Sequence, residues 1–152
     1  MLVIDKIIDK TNEQLSEQIF ALYKQSYEFG SPWTIKQIEN SLNDEKNYFL
    51  FLIEGELLIG LINYTYVLDQ ADIINLVIAP THKRKGLAEL LVTELKKILL
   101  SKQVKEFFLE VRQSNVSAQK FYEKMNFEKV TIRKNYYHNP LEDALILRGN
   151  LG

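Results

Sequence analysis

Two stretches of this chain hold residue types that do chemistry at a useful spacing. The first is T-H-K-R-K-G-L-A, where Lys83, Arg84 and Lys85 are followed by Gly86. An apolar stretch, Ile73 to Ala79, precedes it and an amphipathic run ending near Leu100 follows it, so the order reads strand, basic turn, helix. A helix start leaves several amide N–H groups without intrahelical partners, all pointing the same way, where the helix dipole also favours negative charge. A phosphate fits such a place. Gly86 lets the main chain approach a ligand or turn sharply. An ordinary strand-to-helix turn with a solvated basic run is the alternative these letters leave open.

The second stretch holds Glu110, inside the apolar strand Phe107 to Val111, and Tyr122, in the helical run after it. A carboxylate in an apolar strand has its pKa raised if it is buried, which is how a general base comes to work near neutral pH. A tyrosine hydroxyl, with a reference pKa of about 10, is still protonated near pH 7 and can donate to a thiolate whose thiol has a pKa of about 8.5. The structural alternatives are a glutamate on a solvated sheet edge and a core aromatic on a helix. Trp33 reads either as a wall of a substrate site or as packing surface beside a helix start.

Composition narrows the chemistry. The 152 residues, 46% apolar and 26% charged, suit one domain spanning 1–152. A net charge of -1 gives no global attraction to nucleic acid or to an anionic membrane, and a small anionic ligand suits the local basic run better. With no cysteine there is no disulfide, thiolate metal site or cysteine nucleophile. His82 and His138 are far apart and read as surface histidines, so no metal site is expected. The N-terminus lacks a signal-peptide core and no apolar run approaches spanning length, which fits a cytoplasmic protein. Neither G-x-x-x-x-G-K-[ST] nor G-x-G-x-x-G occurs, so nothing suggests nucleotide hydrolysis or hydride transfer.

The elements that must position these residues follow from periodicity. Leu2 to Ile8 reads as a strand. Thr11 to Gln14 is a capping box opening a helix with Leu15, Ile19, Leu22 and Tyr23 on one face, ending near Gly30. A second box, Thr34 to Gln37, opens a short helix with Ile35, Ile38 and Leu42 on one stripe. Tyr48 to Ile53 and Leu57 to Val67 form a hairpin, with Gly60 as a bulge or close-approach point. Ile73 to Ala79 reads as a strand covered on both faces and stopped by Pro80. The helix after the basic turn carries Leu87, Leu91, Leu95 and Ile98 on one face, and with Phe107 to Val111 completes a parallel crossover. A helix from Ser117 to Met125, ended by Asn126, precedes strands Phe127 to Tyr137 and Asp143 to Leu147. The sum is an α/β chain with a mixed sheet and helices on both faces.

The runs N-L-V-I-A-P-T-H-K-R-K-G-L-A, F-L-E-V-R-Q-S-N-V-S-A-Q-K-F-Y-E-K-M-N-F, and R-K-N-Y-Y ahead of E-D-A together resemble the GNAT acetyltransferase superfamily. Within it the chain is most similar to the RimI branch, the ribosomal-protein alanine N-acetyltransferases. The likeness spans nearly the whole chain, S-P-W included, and is strongest from Asn75 to Ala144. It implies a GNAT fold: a twisted, mostly antiparallel mixed sheet with a parallel β-α-β crossover. It also implies acetyl-CoA as cosubstrate, its pantetheine arm beside the backbone of Leu76, Val77 and Ile78 and its pyrophosphate held by Lys83, Arg84, Lys85, Gly86, Leu87 and Ala88. Glu110 matches the family's general base, Tyr122 its general acid, and Asn115 a cofactor contact. Tyr136 and Tyr137 match the Tyr-Tyr element near the peptide site, with packing as the comparable reading. The implied acceptor is a protein N-terminus, as of a ribosomal small-subunit protein. A small amine, a lysine, or a module that binds acetyl-CoA without catalysis are the alternatives. Lys83 stands where the family usually has Gln or Arg and loses the bidentate geometry of Arg; Asn126 replaces a frequent Gly.

Overall fold

The structure, a computed structural model, describes residues 2–6 and 8–151. Among them the chain runs β1 (Leu2–Asp5), α1 (Asn12–Ser26), α2 (Ile35–Asn43), β2 (Tyr48–Glu54), β3 (Leu57–Val67), β4 (Gln70–Ile78), a 3-10 turn (Pro80–His82), α3 (Leu87–Ser101), β5 (Glu106–Arg112), α4 (Val116–Lys124), β6 (Glu128–His138) and β7 (Leu141–Asn150). Strand pairing follows the order β1-β2-β3-β4-β5-β7-β6. β4 and β5, linked through α3, are parallel. The pairs β1–β2, β2–β3, β5–β7 and β6–β7 are antiparallel. This is the mixed, largely antiparallel sheet with one parallel crossover that the sequence predicts.

The chain divides into two compact units, and the first comprises Met1–Thr65 with Asn75–Leu95. Both predicted capping boxes form: Thr11 and Thr34 each accept a hydrogen bond from the backbone of the residue three on, and Gln14 and Gln37 reach back to the cap N–H. Leu15, Ile19, Leu22 and Tyr23 are buried as expected. α1 stops at Ser26 rather than near Gly30, because Tyr27 adopts extended backbone at φ -86° and ψ 136°. On α2 only Ile38 of the predicted stripe is fully buried, while Ile35 is exposed. β1 ends at Asp5, short of the predicted Ile8, and Ile7 lies outside the described residues. Gly60 is both things expected of it. The register steps from Leu52↔Gly60 to Ile53↔Leu58, and a Cβ at Gly60 would sit 2.8 Å from Ile78 Cδ1 and 3.0 Å from the Val77 carbonyl.

The second unit comprises Tyr66–Ile74 with Lys96–Gly152. β5 alternates cleanly, burying Phe107, Leu109 and Val111 and turning its even-numbered residues outward. β4 begins at Gln70, three residues earlier than predicted, and alternates as well: Ala71 and Ile73 are buried, Asp72 and Ile74 exposed. Continuous burial starts only at Val77, so the expectation of a strand covered on both faces holds only for its end. The buried face of α3 is Leu91, Val92, Leu95 and Leu99; the predicted Leu87 and Ile98 flank it half-buried. α4 closes at Asn126 in the left-handed region, φ 68°, and the Phe127 N–H donates to the Tyr122 carbonyl at 2.9 Å.

Candidate active site

In the first unit the basic turn is built from backbone. Arg84 (φ 63°) and Gly86 (φ 75°) both adopt left-handed conformations on either side of Lys85, an alternation that gathers amide N–H groups into a concavity suited to an anion. The first intrahelical bond of α3 runs from Leu90 N to Gly86 O, 3.1 Å. The N–H groups of Leu87, Ala88 and Glu89 therefore have no acceptor within the helix. Nothing lies within 4 Å of a Cβ added at Gly86, so only its dihedral demands glycine there. Lys83, Arg84 and Lys85 are all exposed. Just upstream, Val77 and Ile78 are buried and Leu76 half-buried, and Ala79 N donates to the Ile59 carbonyl at 2.7 Å.

His82 is not the plain surface histidine the sequence suggests. Its ring is only 14% exposed and is held between Thr81 Oγ1, 2.8 Å, and Glu54 Oε1, 3.1 Å. That contact pulls the Glu54 carboxyl below its ordinary range.

The second unit gathers Glu110, Tyr136 and Tyr137 into one polar cluster. Glu110 occupies an outward position of β5, so it is neither buried nor on a sheet edge: β5 pairs with β4 and β7. The parallel pairing with β4 matches Gln70–Asp72 to Glu106–Phe108, leaving Glu110 two residues beyond its end. Arg133 Nη1 lies 3.3 Å from Glu110 Oε1. The Tyr136 hydroxyl has its pKa raised, chiefly by its interaction with the same carboxylate. Tyr137 is pushed up to about 12, first by burial and then by the Glu110 charge. Its ring carries the Arg112 guanidinium 4.2 Å from its centroid. Arg112 in turn pairs with Glu142 at 3.1 Å. The backbone N–H of Ser114 also donates to Glu142, and the contacts with Ser114 and Arg112 hold that carboxyl below its usual range. A register irregularity between Arg133 and Tyr137 sets the two tyrosine rings edge to face at 5.1 Å. Asn135, at φ 54°, stands within it and donates its N–H to Asp143 at 2.8 Å.

Tyr122 packs among aromatic rings. It is 8% exposed, and its ring meets Phe127 at 5.3 Å, which meets Phe107 at 4.6 Å. Phe107 belongs to the odd-numbered, buried side of β5, whereas Glu110 belongs to the even side. Asn115 uses its side-chain oxygen to cap α4, accepting from Ala118 N at 3.1 Å.

Sequence reasoning missed three participants. Arg133 stands in the quoted R-K-N-Y-Y run, but its pairing with Glu110 spans 23 positions. Asp72, a carboxylate just ahead of the apolar run, lies opposite Phe108 in the β4–β5 register, on the face that also carries Glu110. Burial, and then the Glu110 charge, raise its pKa. Asn75, 5% exposed in β4, accepts from Trp33 Nε1 at 3.1 Å and donates to the Tyr27 hydroxyl at 2.8 Å. A lone polar letter in an apolar strand was the signal available for Asn75.

Residues 13–127 match the acetyltransferase (GNAT) family. The [ribosomal protein bS18]-alanine N-acetyltransferase of Haemophilus influenzae is 40% identical over 119 residues, 76% of this chain and 80% of that protein. The crystal structure of the ribosomal-protein-S18-alanine N-acetyltransferase from Escherichia coli aligns with a TM-score of 0.87 at 27% identity, over 100% of this chain and 95% of that one. An aminoglycoside 6'-N-acetyltransferase complexed with coenzyme A shares the fold, with a TM-score of 0.81 at 16% identity over 99% of this chain and 97% of that one. The chain belongs to the GNAT acetyltransferase family, and within it is a RimI-like N-acetyltransferase.

Proposed function

We propose that this enzyme transfers the acetyl group of acetyl-CoA directly to a protein N-terminal α-amine, with the N-terminal alanine of a ribosomal small-subunit protein as acceptor. The relatives from H. influenzae and E. coli, named for that alanine, support the acceptor. The observation that carries the chemistry is the outward carboxylate of Glu110, set just past the end of the β4–β5 pairing and ringed by Arg133 and Tyr136.

Acetyl transfer needs a neutral amine, an acceptor for its proton and a proton for the leaving sulfur. Acetyl-CoA supplies the thioester, held by the Lys83–Ala88 backbone with its pantetheine arm along Leu76, Val77 and Ile78. As the amine nitrogen bonds to the carbonyl carbon and the carbon–sulfur bond breaks, Glu110, directly or through a water, takes the amine proton. Tyr122 gives its hydroxyl proton to the sulfur. Tyr136 and Tyr137 border the acceptor beside Glu110, with Trp33 as a further acceptor contact and Asn115 a cofactor contact.

Magnitudes favour the α-amine. At pH 7 an amine of pKa about 7.8 is neutral roughly 14% of the time, against about 0.04% for a lysine of pKa about 10.4, a gap of about 3.5 kcal/mol. The test is mass spectrometry of peptides with free and blocked N-termini incubated with enzyme and acetyl-CoA. A gain of one acetyl group on free N-termini beginning with alanine is the expected result. Acetylation confined to lysine in blocked peptides refutes the α-amine, and acetylation of small amines alone moves the enzyme to another acceptor class.

A further inference from the structure

Asn75 is a polar side chain buried in an apolar strand, and both ends of its amide are committed to one loop. The oxygen accepts from the Trp33 indole at 3.1 Å; the nitrogen donates to the Tyr27 hydroxyl at 2.8 Å. Tyr27 is the residue that ends α1, and Trp33 immediately precedes Thr34, the cap of α2. One amide thus grips the α1–α2 connection at both of its ends. The connection is further shaped by Gly30 at φ 84°, whose N–H donates to the Tyr27 carbonyl at 3.2 Å. Ser31 Oγ accepts from the Trp33 N–H at 3.2 Å and donates to the Trp33 carbonyl at 2.6 Å. The loop so fixed still exposes Phe29, 47%, and Trp33, 37%, with Ile35 beside them at 42%.

A buried amide is tolerated where its hydrogen bonds are made, and an aliphatic residue would fill this strand position without any such requirement. What the amide adds is a defined position for the loop. The three residues after Asn75 are Leu76, Val77 and Ile78, those assigned to the pantetheine arm. We infer that Asn75 is a positioning residue: it latches the α1–α2 loop to β4, so that the aromatic edge of Phe29 and Trp33 is held ready for the acceptor by the strand that serves acetyl-CoA. The acceptor half of this inference rests on the function proposed above.

Trp33 is the single tryptophan of the chain, so its emission reports the latch directly. The experiment compares the full-length enzyme with Asn75→Leu and, in case that variant does not fold, Tyr27→Phe, which removes one anchor from the surface end. Circular dichroism confirms folding of each. The expected result is a shift of Trp33 emission with greater quenching by iodide. For an alanine-terminated peptide, KM rises about tenfold while kcat and the KM for acetyl-CoA stay within about twofold, as loss of orientation at the acceptor alone would give. An unchanged emission in folded Asn75→Leu overturns the latch. A changed emission with an unchanged acceptor KM overturns the acceptor role of the loop. Should the unsubstituted enzyme acetylate no peptide, the proposed function fails, while the emission still decides the latch.

Discussion

The basic turn and the Glu110 cluster are both polar regions, yet they are built in opposite ways. At the turn the side chains of Lys83, Arg84 and Lys85 are exposed, and neither Lys83 nor Arg84 forms an ion pair among the described residues. The organised groups are main-chain amides, set by two left-handed residues and a helix start. Around Glu110 the organised groups are side chains: Arg133 on Glu110 at 3.3 Å and Arg112 on Glu142 at 3.1 Å, with Tyr136 and Tyr137 feeling the Glu110 charge. A ligand held by backbone depends little on which side chains surround it, whereas a proton moved by a side chain depends on that side chain entirely. Binding of acetyl-CoA should therefore tolerate substitution at the turn, and turnover should not tolerate it at the cluster.

The largest effects belong to the groups that would move protons. Glu110→Gln and Tyr122→Phe should each lower kcat by about 10² to 10⁴, the usual worth of a positioned acid or base. Acetyl-CoA affinity, measured by calorimetry, should stay within about threefold for both, well under the tenfold step that 1.4 kcal/mol represents. A Glu110→Gln variant that loses acetyl-CoA binding in proportion to turnover would break the division between the two regions. Tyr122 carries an additional demand because its ring packs on Phe127. Phenylalanine preserves that contact, so a folded variant with full turnover would remove the acid role rather than reflect lost packing.

The next effect tests whether backbone or side chain holds the anion. Gly86→Ala meets no steric obstacle, so its penalty is conformational, about 1 kcal/mol for a left-handed residue, and should weaken acetyl-CoA about fivefold. Lys83→Ala removes an exposed, screened charge and should change affinity by about twofold, less at high salt. Measured side by side by calorimetry, a larger loss in Lys83→Ala than in Gly86→Ala would reverse the assignment.

What could be read in the letters was mostly what is local. The capping boxes at Thr11 and Thr34, the stop at Pro80 and the left-handed Asn126 are each decided by neighbours a few positions away, and each is found. The family resemblance then put roles on Glu110 and the Tyr-Tyr pair, and the structure brings those three together. The contacts that complete the cluster were not legible, because they depend on register. Arg133 meets Glu110 across 23 positions, and Asn75 reaches Tyr27 and Trp33 across 48 and 42. Periodicity assigns a residue to a face without naming its opposite number. For Glu110 the letters left open a buried base and a solvated sheet edge; it faces outward on a strand paired on both sides, and that pairing again depends on register.

The smallest effect concerns Asp72, which shares its face of the sheet with Glu110. Its folded pKa lies above its ordinary value of 3.8, because burial and then the Glu110 charge disfavour the ionised form. The folded protein therefore holds this proton more tightly than the unfolded chain does, and the associated stability is present below about 3.8, the unfolded value, and lost as pH rises through the folded one. Asp72→Asn keeps the neutral shape at every pH. It should raise Tm at pH 7, with the difference from the unsubstituted enzyme shrinking toward zero as the pH approaches the unfolded value. Glu110→Gln should diminish the gain, since it removes the charge that repels Asp72. Thermal melts of the two single variants and the double variant across that range measure both. An Asp72→Asn gain that is the same with and without Glu110 would mean that the two carboxylates, although on one face, do not act on each other, and that desolvation alone sets the character of Asp72.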